Sequence, residues 1–432
     1  MITKFNFKDR SIKSYAIRKL TPKECFRLMG VRDDTIRTMQ STSEEAMRRV
    51  PGWNGKNKPN EMAVSASQQY KQAGNSIVVD VLKAIYEQLW YPREARCEKR
   101  LSLFEDALPK LPVDANKGEK VIITSFSGYD SQLMAADALK EEHPDFRWTC
   151  MGWSDIDKYA CQMHNLVFPQ YADKALGDIT KIDWHNVKDS LQGREVDLFT
   201  YSSPCTDISQ SGKQMGLKEG SGTRSALLWY VTDAIETLKP KYLLQENVAA
   251  LVSKKFMPDF QKWLAKLENM GYVNRWARLN AKDYGVPQNR DRVFCLSMRR
   301  DVAFDYQFPK GFPLQTRLED VLEEEVPERY FLKDDAVSKF LQANDTDKAL
   351  FMQFDLPPTH EAAMFLKTWL TLRMDVLNGW DMLPTELEAA IGNESDVFAS
   401  DFKTWQDDGT FPCDGFKELF EENMKHKPKD AV

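Results

Sequence analysis

Short apolar runs punctuate the middle of the chain, and between them apolar residues recur at helical spacing. Val121–Phe126, Trp148–Trp153, Val196–Tyr201, Tyr242–Gln245 and Val293–Met298 read as buried strands. Ser131–Leu139, Lys158–Val167, Arg224–Leu238 and Asp259–Met270 read as the helices that join them. Strands alternating with helices predict βαβ units, hence an α/β fold on a mostly parallel sheet covered on both faces. Ligands of such sheets sit beyond the carboxyl ends of the strands, so the residues that follow each strand are the ones to search for chemistry.

The flanks are patterned differently. Thr21-Pro22 through Gly30 carries the marks of a short helix: Thr at the N-cap, Pro at the first position, Glu24 at the third and a closing glycine. Ile77–Trp90 predicts a longer helix after the turn-like Gly74-Asn75. Residues 93–120 include 13 charged side chains among 28 and few apolar ones, which reads as a linker with a short helix around Leu101–Leu108. Near the end, Thr359–Asn378 and Phe416–Met424 predict helices, and several tryptophans imply that this segment folds.

The strand ends carry the polar groups. Phe126-Ser127-Gly128-Tyr129-Asp130-Ser131 turns the first strand into a helix, and Asp155-Ile156-Asp157 ends the second. An acid there either grips ribose hydroxyls, as in nucleoside-binding folds, or caps the next helix. Gly177-Asp178-Ile179-Thr180 offers a third polar turn, with Asp178 able to accept from an adenine amino group. Together the three turns favour an adenosine-type cofactor. After Val196–Tyr201 comes Ser202-Ser203-Pro204-Cys205, followed by residues 206–223, rich in glycine and lysine and patterned as a loop. Most cysteines are small hydrophobes; one at the base of a basic loop is a candidate nucleophile. Glu246 ends the following apolar run, either as a helix cap or as a catalytic acid in the same crevice.

Phe126-Ser127-Gly128, Asp155-Ile156-Asp157, Gly177-Asp178-Ile179, Pro204-Cys205, Glu246-Asn247-Val248 and Gln288-Asn289-Arg290-Asp291-Arg292, in that order, resemble the DNA (cytosine-5) methyltransferases. The loop Ile208–Gly216 is similar to their active-site lid. Ile17–Gly30 and Gln69–Ser76 resemble segments that come late in those enzymes, yet here they precede the first turn, so the motif order looks circularly permuted. The chain departs from the family at Tyr129-Asp130-Ser131, where glycine is frequent, and at Ser203, where a second proline is common.

The resemblance implies a Rossmann-like sheet domain with a second, smaller domain. The chain then divides into a late-motif segment (1–92), a linker (93–120), a catalytic domain (121–335) and, beyond the resemblance, an acidic C-terminal region (336–432) that is either a target recognition domain or an added module for protein contacts. The resemblance implies S-adenosylmethionine as methyl donor, held by Phe126, Gly128, Asp155, Ile156, Asp178, Ile179, Pro204, Leu227, Asn75 and Ser76, with no metal. Cys205 would add to C6 of cytosine so that C5 can accept the methyl group. Glu246 would hydrogen-bond the ring, Arg292 would hold O2, and Arg290 would steady the lid or the thiolate. Ser209, Ser211, Lys213 and Arg224 would contact the DNA. The expected partner is double-stranded DNA with the target base flipped from its stack. A cognate restriction endonuclease stays open as a second partner, and the expected state is a monomer. A tRNA cytosine-5 methyltransferase shares the chemistry and a catalytically silent DNA-binding relative shares the fold, so both remain as alternatives.

Charge and composition refine this. The formal net charge is −6, but residues 341–432 hold 8 basic and 18 acidic side chains while residues 1–60 hold 14 basic and 6 acidic. A polyanion would be drawn to the front of the chain and repelled by its tail, but a solvated basic surface fits the same charges, and charge alone leaves both readings open. No apolar run reaches the roughly 18 residues of a membrane span, the opening residues lack the apolar core of a secretory signal, and the seven cysteines stand singly. Reduced thiols and a cytoplasmic location are the expectation.

Overall fold

Two units divide the residues described by the computed structural model, which are 2–6, 11–15, 18–53, 55–92, 118–204, 224–331, 400–413 and 415–425, with Phe365, Thr368, Trp369 and Leu372. Met1–Thr21 and Glu324–Val432 form one, Pro22–Glu323 the other. In the first, β1 (Ile2–Asn6) pairs antiparallel with β2 (Ser11–Tyr15). Arg18 bridges to Phe331, and the Lys19 amide donates to the Tyr330 carbonyl at 2.9 Å, so opposite ends of the sequence share backbone pairing. Its core is aromatic: Phe365 lies with its ring centroid 4.7 Å from Phe416 and 4.9 Å from Trp405. Residues 400–408 and Phe416–Lys425 are helical. Of the helix expected at Thr359–Asn378, only Phe365, Thr368, Trp369 and Leu372 are described, all helical; its remainder and the segment around Leu101–Leu108 lie outside the described residues.

In the second unit the helices α1 (Pro22–Arg27), α2 (Asp33–Met39), α3 (Ser43–Arg49), α4 (Ala66–Asn75) and α5 (Val79–Trp90) come first. Then follow β3 (Glu119–Ser125), α6 (Ser131–Glu142), β4 (Arg147–Ser154), α7 (Lys158–Val167), α8 (Trp184–Ser190) and β5 (Leu198–Tyr201). The chain continues through α9 (Val231–Leu238), β6 (Tyr242–Val248), α10 (Met257–Asn269), β7 (Tyr272–Asn280) and β8 (Asp291–Arg299). The strands lie in the order β4-β3-β5-β6-β8-β7. Pairings as far as β6 are parallel, and β8 runs antiparallel to β6 and β7. Five of six strands therefore point one way, as the alternating pattern predicts.

Strict alternation feeds two cores. Ile122, Leu198 and Leu244 face one side with residues of α5, α6 and α7, among them Ile85, Leu133 and Met163. Their neighbours Ile123, Phe199 and Leu243 face the other with residues of α9 and α10, among them Ile235, Phe260 and Trp263. Successive side chains of a strand point to opposite faces, and both faces here are dry, so the runs are continuously apolar rather than alternating. The helix α5 reaches the first core although 93–117 separates it in sequence from β3.

Two expectations change. Arg224–Leu238 is not one helix: Arg224–Tyr230 is a 3-10 helix and the α-helix begins at Val231. Tyr272–Asn280 is a strand that the pattern missed, because an edge strand leaves Asn274, Arg275, Trp276 and Arg278 only partly covered and no apolar run forms.

Candidate active site at the carboxyl edge of the sheet

The turn from β3 to α6 places three residues in the left-handed region, Phe126 (φ 56°), Gly128 (φ 58°) and Asp130 (φ 67°). Gly128 suits this without strain, and a side chain built there would meet no protein atom within 4 Å. Asp130, where the resemblance leads one to expect glycine, is held by its own carboxylate. One oxygen accepts from the Leu133 amide at 3.2 Å and the other from the Thr124 hydroxyl at 2.7 Å. His164 Nε2 lies 3.4 Å from that second oxygen, both side chains are fully buried, and the imidazole stacks on Trp153 at 3.8 Å. The left-handed conformation is thus offset by a helix cap and the buried hydrogen bond from Thr124. Asp130→Ala should lose about 2–4 kcal/mol of stability, from the cap, the orphaned polar groups and residual strain. Asp130→Gly should lose less because it relieves the backbone. Urea unfolding of the three proteins checks this, and an Ala variant as stable as the Gly variant would refute it.

At the end of β4, one Asp155 oxygen accepts from the Gly128 amide and the other from the Asp157 amide, both at 2.8 Å. The carboxylate therefore staples β4 to the first turn, and burial raises its pKa. Each oxygen keeps a lone pair for a ligand. Ile156 is 66% exposed although apolar, and it flanks a cleft. Asp157 caps α7 through the amides of Tyr159 (2.9 Å) and Ala160 (3.2 Å) and takes Lys71 Nζ at 2.6 Å, tying α7 to α4. Asp178 accepts from the Thr180 amide (3.0 Å) and hydroxyl (2.9 Å), which hold its carboxyl below the usual carboxylate value.

At the other flank, β5 ends in Ser202-Ser203-Pro204. The Ser202 hydroxyl donates to the Phe126 carbonyl at 3.3 Å, and Asn247 Nδ2 donates to the Ser203 carbonyl at 3.4 Å. Opposite Val248 on β6 stands Arg292 on β8. Glu246, two residues before Val248, lies on the same face, and its carboxylate meets Arg292 Nε at 3.0 Å. Burial lifts the Glu246 pKa against the pull of Arg292 and Arg290. The Arg290 guanidinium donates to the carbonyls of Gly74 (2.8 Å) and Ser76 (2.6 Å), so it fastens the end of α4 to this edge.

These groups share one cleft of about 330 Å3. Phe126, Gly128, Asp155, Ile156, Asp178, Ile179, Pro204, Leu227, Asn75 and Ser76 all line it, as do Glu246, Arg290 and Arg292. Cys205, Ser209, Ser211 and Lys213 lie outside the described residues; Arg224 opens the 3-10 helix, and its side chain is not among those described. Sequence reasoning missed Lys71 and Gln72, which also line the cleft. Helical spacing held the signal for Gln72, three and four residues before Asn75 and Ser76.

A mostly parallel sheet with acids and turns converging beyond its strand ends defines a Rossmann-like α/β domain with its ligand site at the carboxyl edge. The family model for C-5 cytosine-specific DNA methylase matches residues 2–90 and 126–371, and the chain belongs to that family. It is 48% identical over 166 residues to the type II methyltransferase M2.ScrFI of Lactococcus lactis subsp. cremoris, covering 38% of this chain and 44% of that protein. It is 43% identical over 145 residues to the orphan methyltransferase M.SssI of Spiroplasma monobiae, covering 33% and 37%. Both alignments span less than half of the relative's length. Among solved structures, a putative DNA modification methyltransferase from an E. coli prophage matches 48% of this chain and 56% of its own at 21% identity and a TM-score of 0.38. Among the described residues no helix is long and apolar enough to cross a membrane.

Proposed function

We propose that the protein transfers a methyl group from S-adenosylmethionine to C5 of cytosine in double-stranded DNA. The observation that carries this is the partly buried Glu246–Arg292 pair, 3.0 Å apart, lining the cleft that Pro204 also lines, one residue before Cys205. The cleft fits the cofactor: apolar Phe126, Ile156 and Leu227 can flank an adenine, Asp155 and Asp178 can accept from hydroxyl and amino groups, and the open space beside Gly128 admits close approach. S-adenosylmethionine supplies the methyl group as an electrophile bound to sulfonium.

The chain's own groups do the rest. The Cys205 thiolate adds to C6 of a flipped cytosine, which makes C5 nucleophilic. Glu246, in its neutral form, donates to N3 and so takes up the charge that addition drives onto the ring, while Arg292 steadies the carboxyl and O2. C5 then bonds the methyl carbon as its bond to sulfur breaks. Loss of the C5 proton to a base expels the thiolate and restores the ring. The permuted order is supported by the end of α4, which precedes β3 yet furnishes Asn75 and Ser76 to the cleft. In this reading the enzyme is a cytoplasmic monomer that needs no metal, acting alone or beside a cognate restriction endonuclease.

Duplex DNA incubated with the protein and S-adenosylmethionine, then sequenced after bisulfite treatment, tests the reading. Protected cytosines in one sequence context are expected. Methylation of an exocyclic nitrogen, or of tRNA and not duplex DNA, would overturn it.

A further inference from the structure

Strain is built into the turn that follows β3. Phe126 and Asp130 both take positive φ, at 56° and 67°, and neither is glycine. Such conformations persist only where the surroundings fix them. Phe126 lines the cleft and Asp130 does not, so whatever fixes Asp130 shapes the cleft from behind. Among the described residues, the one basic side chain within ion-pair reach of Asp130 is that of His164, its Nε2 3.4 Å from Oδ2. Nε2 closes no hydrogen bond elsewhere. A carboxylate taken out of water needs donors or a positive neighbour, and an imidazole with its proton on Nε2 offers a donor.

His164 also touches the second strand end. Its ring stacks on Trp153 with centroids 3.8 Å apart, and Trp153 precedes Asp155 by two residues. Trp153 is anchored in turn, since its Nε1 donates to the Tyr171 carbonyl at 2.8 Å. On α7, His164 stands one turn beyond Ala160, which lines the cleft. Neither His164, Trp153 nor Asp130 reaches the cleft itself.

We infer that His164 is a positioning residue for the cofactor site. Through Asp130 it braces the turn Phe126–Ser131, and through Trp153 it braces the end of β4. The Gly128 amide and the Asp155 carboxylate, joined at 2.8 Å across those two segments, are thereby held in register for the ligand. The role exists because position 130 is aspartate: glycine there would take the positive φ unaided and leave the histidine nothing to brace. The inference rests on S-adenosylmethionine being the cofactor.

Calorimetric titration of the full chain with S-adenosylhomocysteine tests it for the wild type, His164→Phe, His164→Gln, Asp130→Gly and the Asp130→Gly/His164→Phe double variant. Phenylalanine keeps an aromatic ring against Trp153 and removes both nitrogens; glutamine returns a donor near the place of Nε2. His164→Phe should weaken binding about 10-fold at unchanged stoichiometry, and raise the KM for S-adenosylmethionine alike with kcat within about two-fold. His164→Gln should recover most of that loss. In the Asp130→Gly background, His164→Phe should cost less than about two-fold. A histidine that only stabilises the fold would lower the fraction of protein that binds and leave the affinity of the remainder unchanged, which would overturn the role. Full affinity in His164→Phe, or the same loss with glycine at 130, would also overturn it. Should His164→Phe alone fail to fold, the comparisons of His164→Gln with the wild type and of the double variant with Asp130→Gly decide by the same criteria. A wild type that does not bind S-adenosylhomocysteine would overturn the cofactor reading itself, and this inference with it.

Discussion

Cys205→Ser protein should bind S-adenosylhomocysteine as the wild type does and transfer methyl groups slower on the order of 10³-fold or more. A thiol ionises near pH 8.5 when unperturbed and lower beside cations, whereas a serine hydroxyl stays protonated across the working range and is a far weaker nucleophile. Arg290 and Arg292 line the same cleft as Pro204. Single-turnover methyl transfer measures the loss. Duplex DNA with fluorine at C5 of the target gives an independent readout. Fluorine cannot leave as a proton, so elimination stalls and the wild type should remain covalently attached after denaturation, while the variant should not. Full activity of the serine protein, or an adduct formed by it, would remove Cys205 from the mechanism.

The sheet was legible because its strands are buried on both faces. Apolar runs such as Val121–Phe126 and Val196–Tyr201 stand out, and those on the parallel strands end where cleft residues begin. β7 was not legible, because at the sheet's edge Arg275 and Arg278 replace the run that burial on both faces would require. The same division holds at the site. Gly128, Asp155 and Glu246 could be found from their positions after strands, since the topology carries such positions to one edge. What those residues touch could not be found in that way. Asp155 spends part of its accepting capacity on the amides of Gly128 and Asp157, and Arg290 reaches back over two hundred residues to Gly74 and Ser76. Pattern reading locates an element and its end; pairing between distant segments is decided by tertiary packing, which no local pattern encodes. Asp130 shows the boundary well. Its departure from glycine is visible in the sequence, but the buried histidine on α7 that packs 3.4 Å from its carboxylate is visible only once the helices have packed.

Glu246→Gln should leave DNA and cofactor binding within a few-fold and slow methyl transfer about 10²–10³-fold. The amide can still donate a hydrogen bond to the ring nitrogen, but it has no proton to share as charge builds there. Burial favours the neutral form of Glu246, and Arg292 and Arg290 oppose that without reversing it. The sign follows. A carboxyl whose folded-state pKa is raised keeps its proton up to that raised value and loses it above, so its stabilising effect on the ring and on the fold is present at lower pH and declines as pH rises through it. In the proposed mechanism the acidic limb of the profile belongs to Cys205, which must lose its proton to attack. The wild type should therefore show a bell-shaped pH dependence of the single-turnover rate, and Glu246→Gln should keep the acidic limb while losing the alkaline one. Arg292 sharpens the distinction, because at 3.0 Å it fixes one carboxyl oxygen and leaves the other to carry the proton. Rates measured between pH 5 and about 9 on a duplex that stays annealed give the comparison. An alkaline limb unchanged by the substitution would assign that ionisation to another group and leave Glu246 only an orienting part.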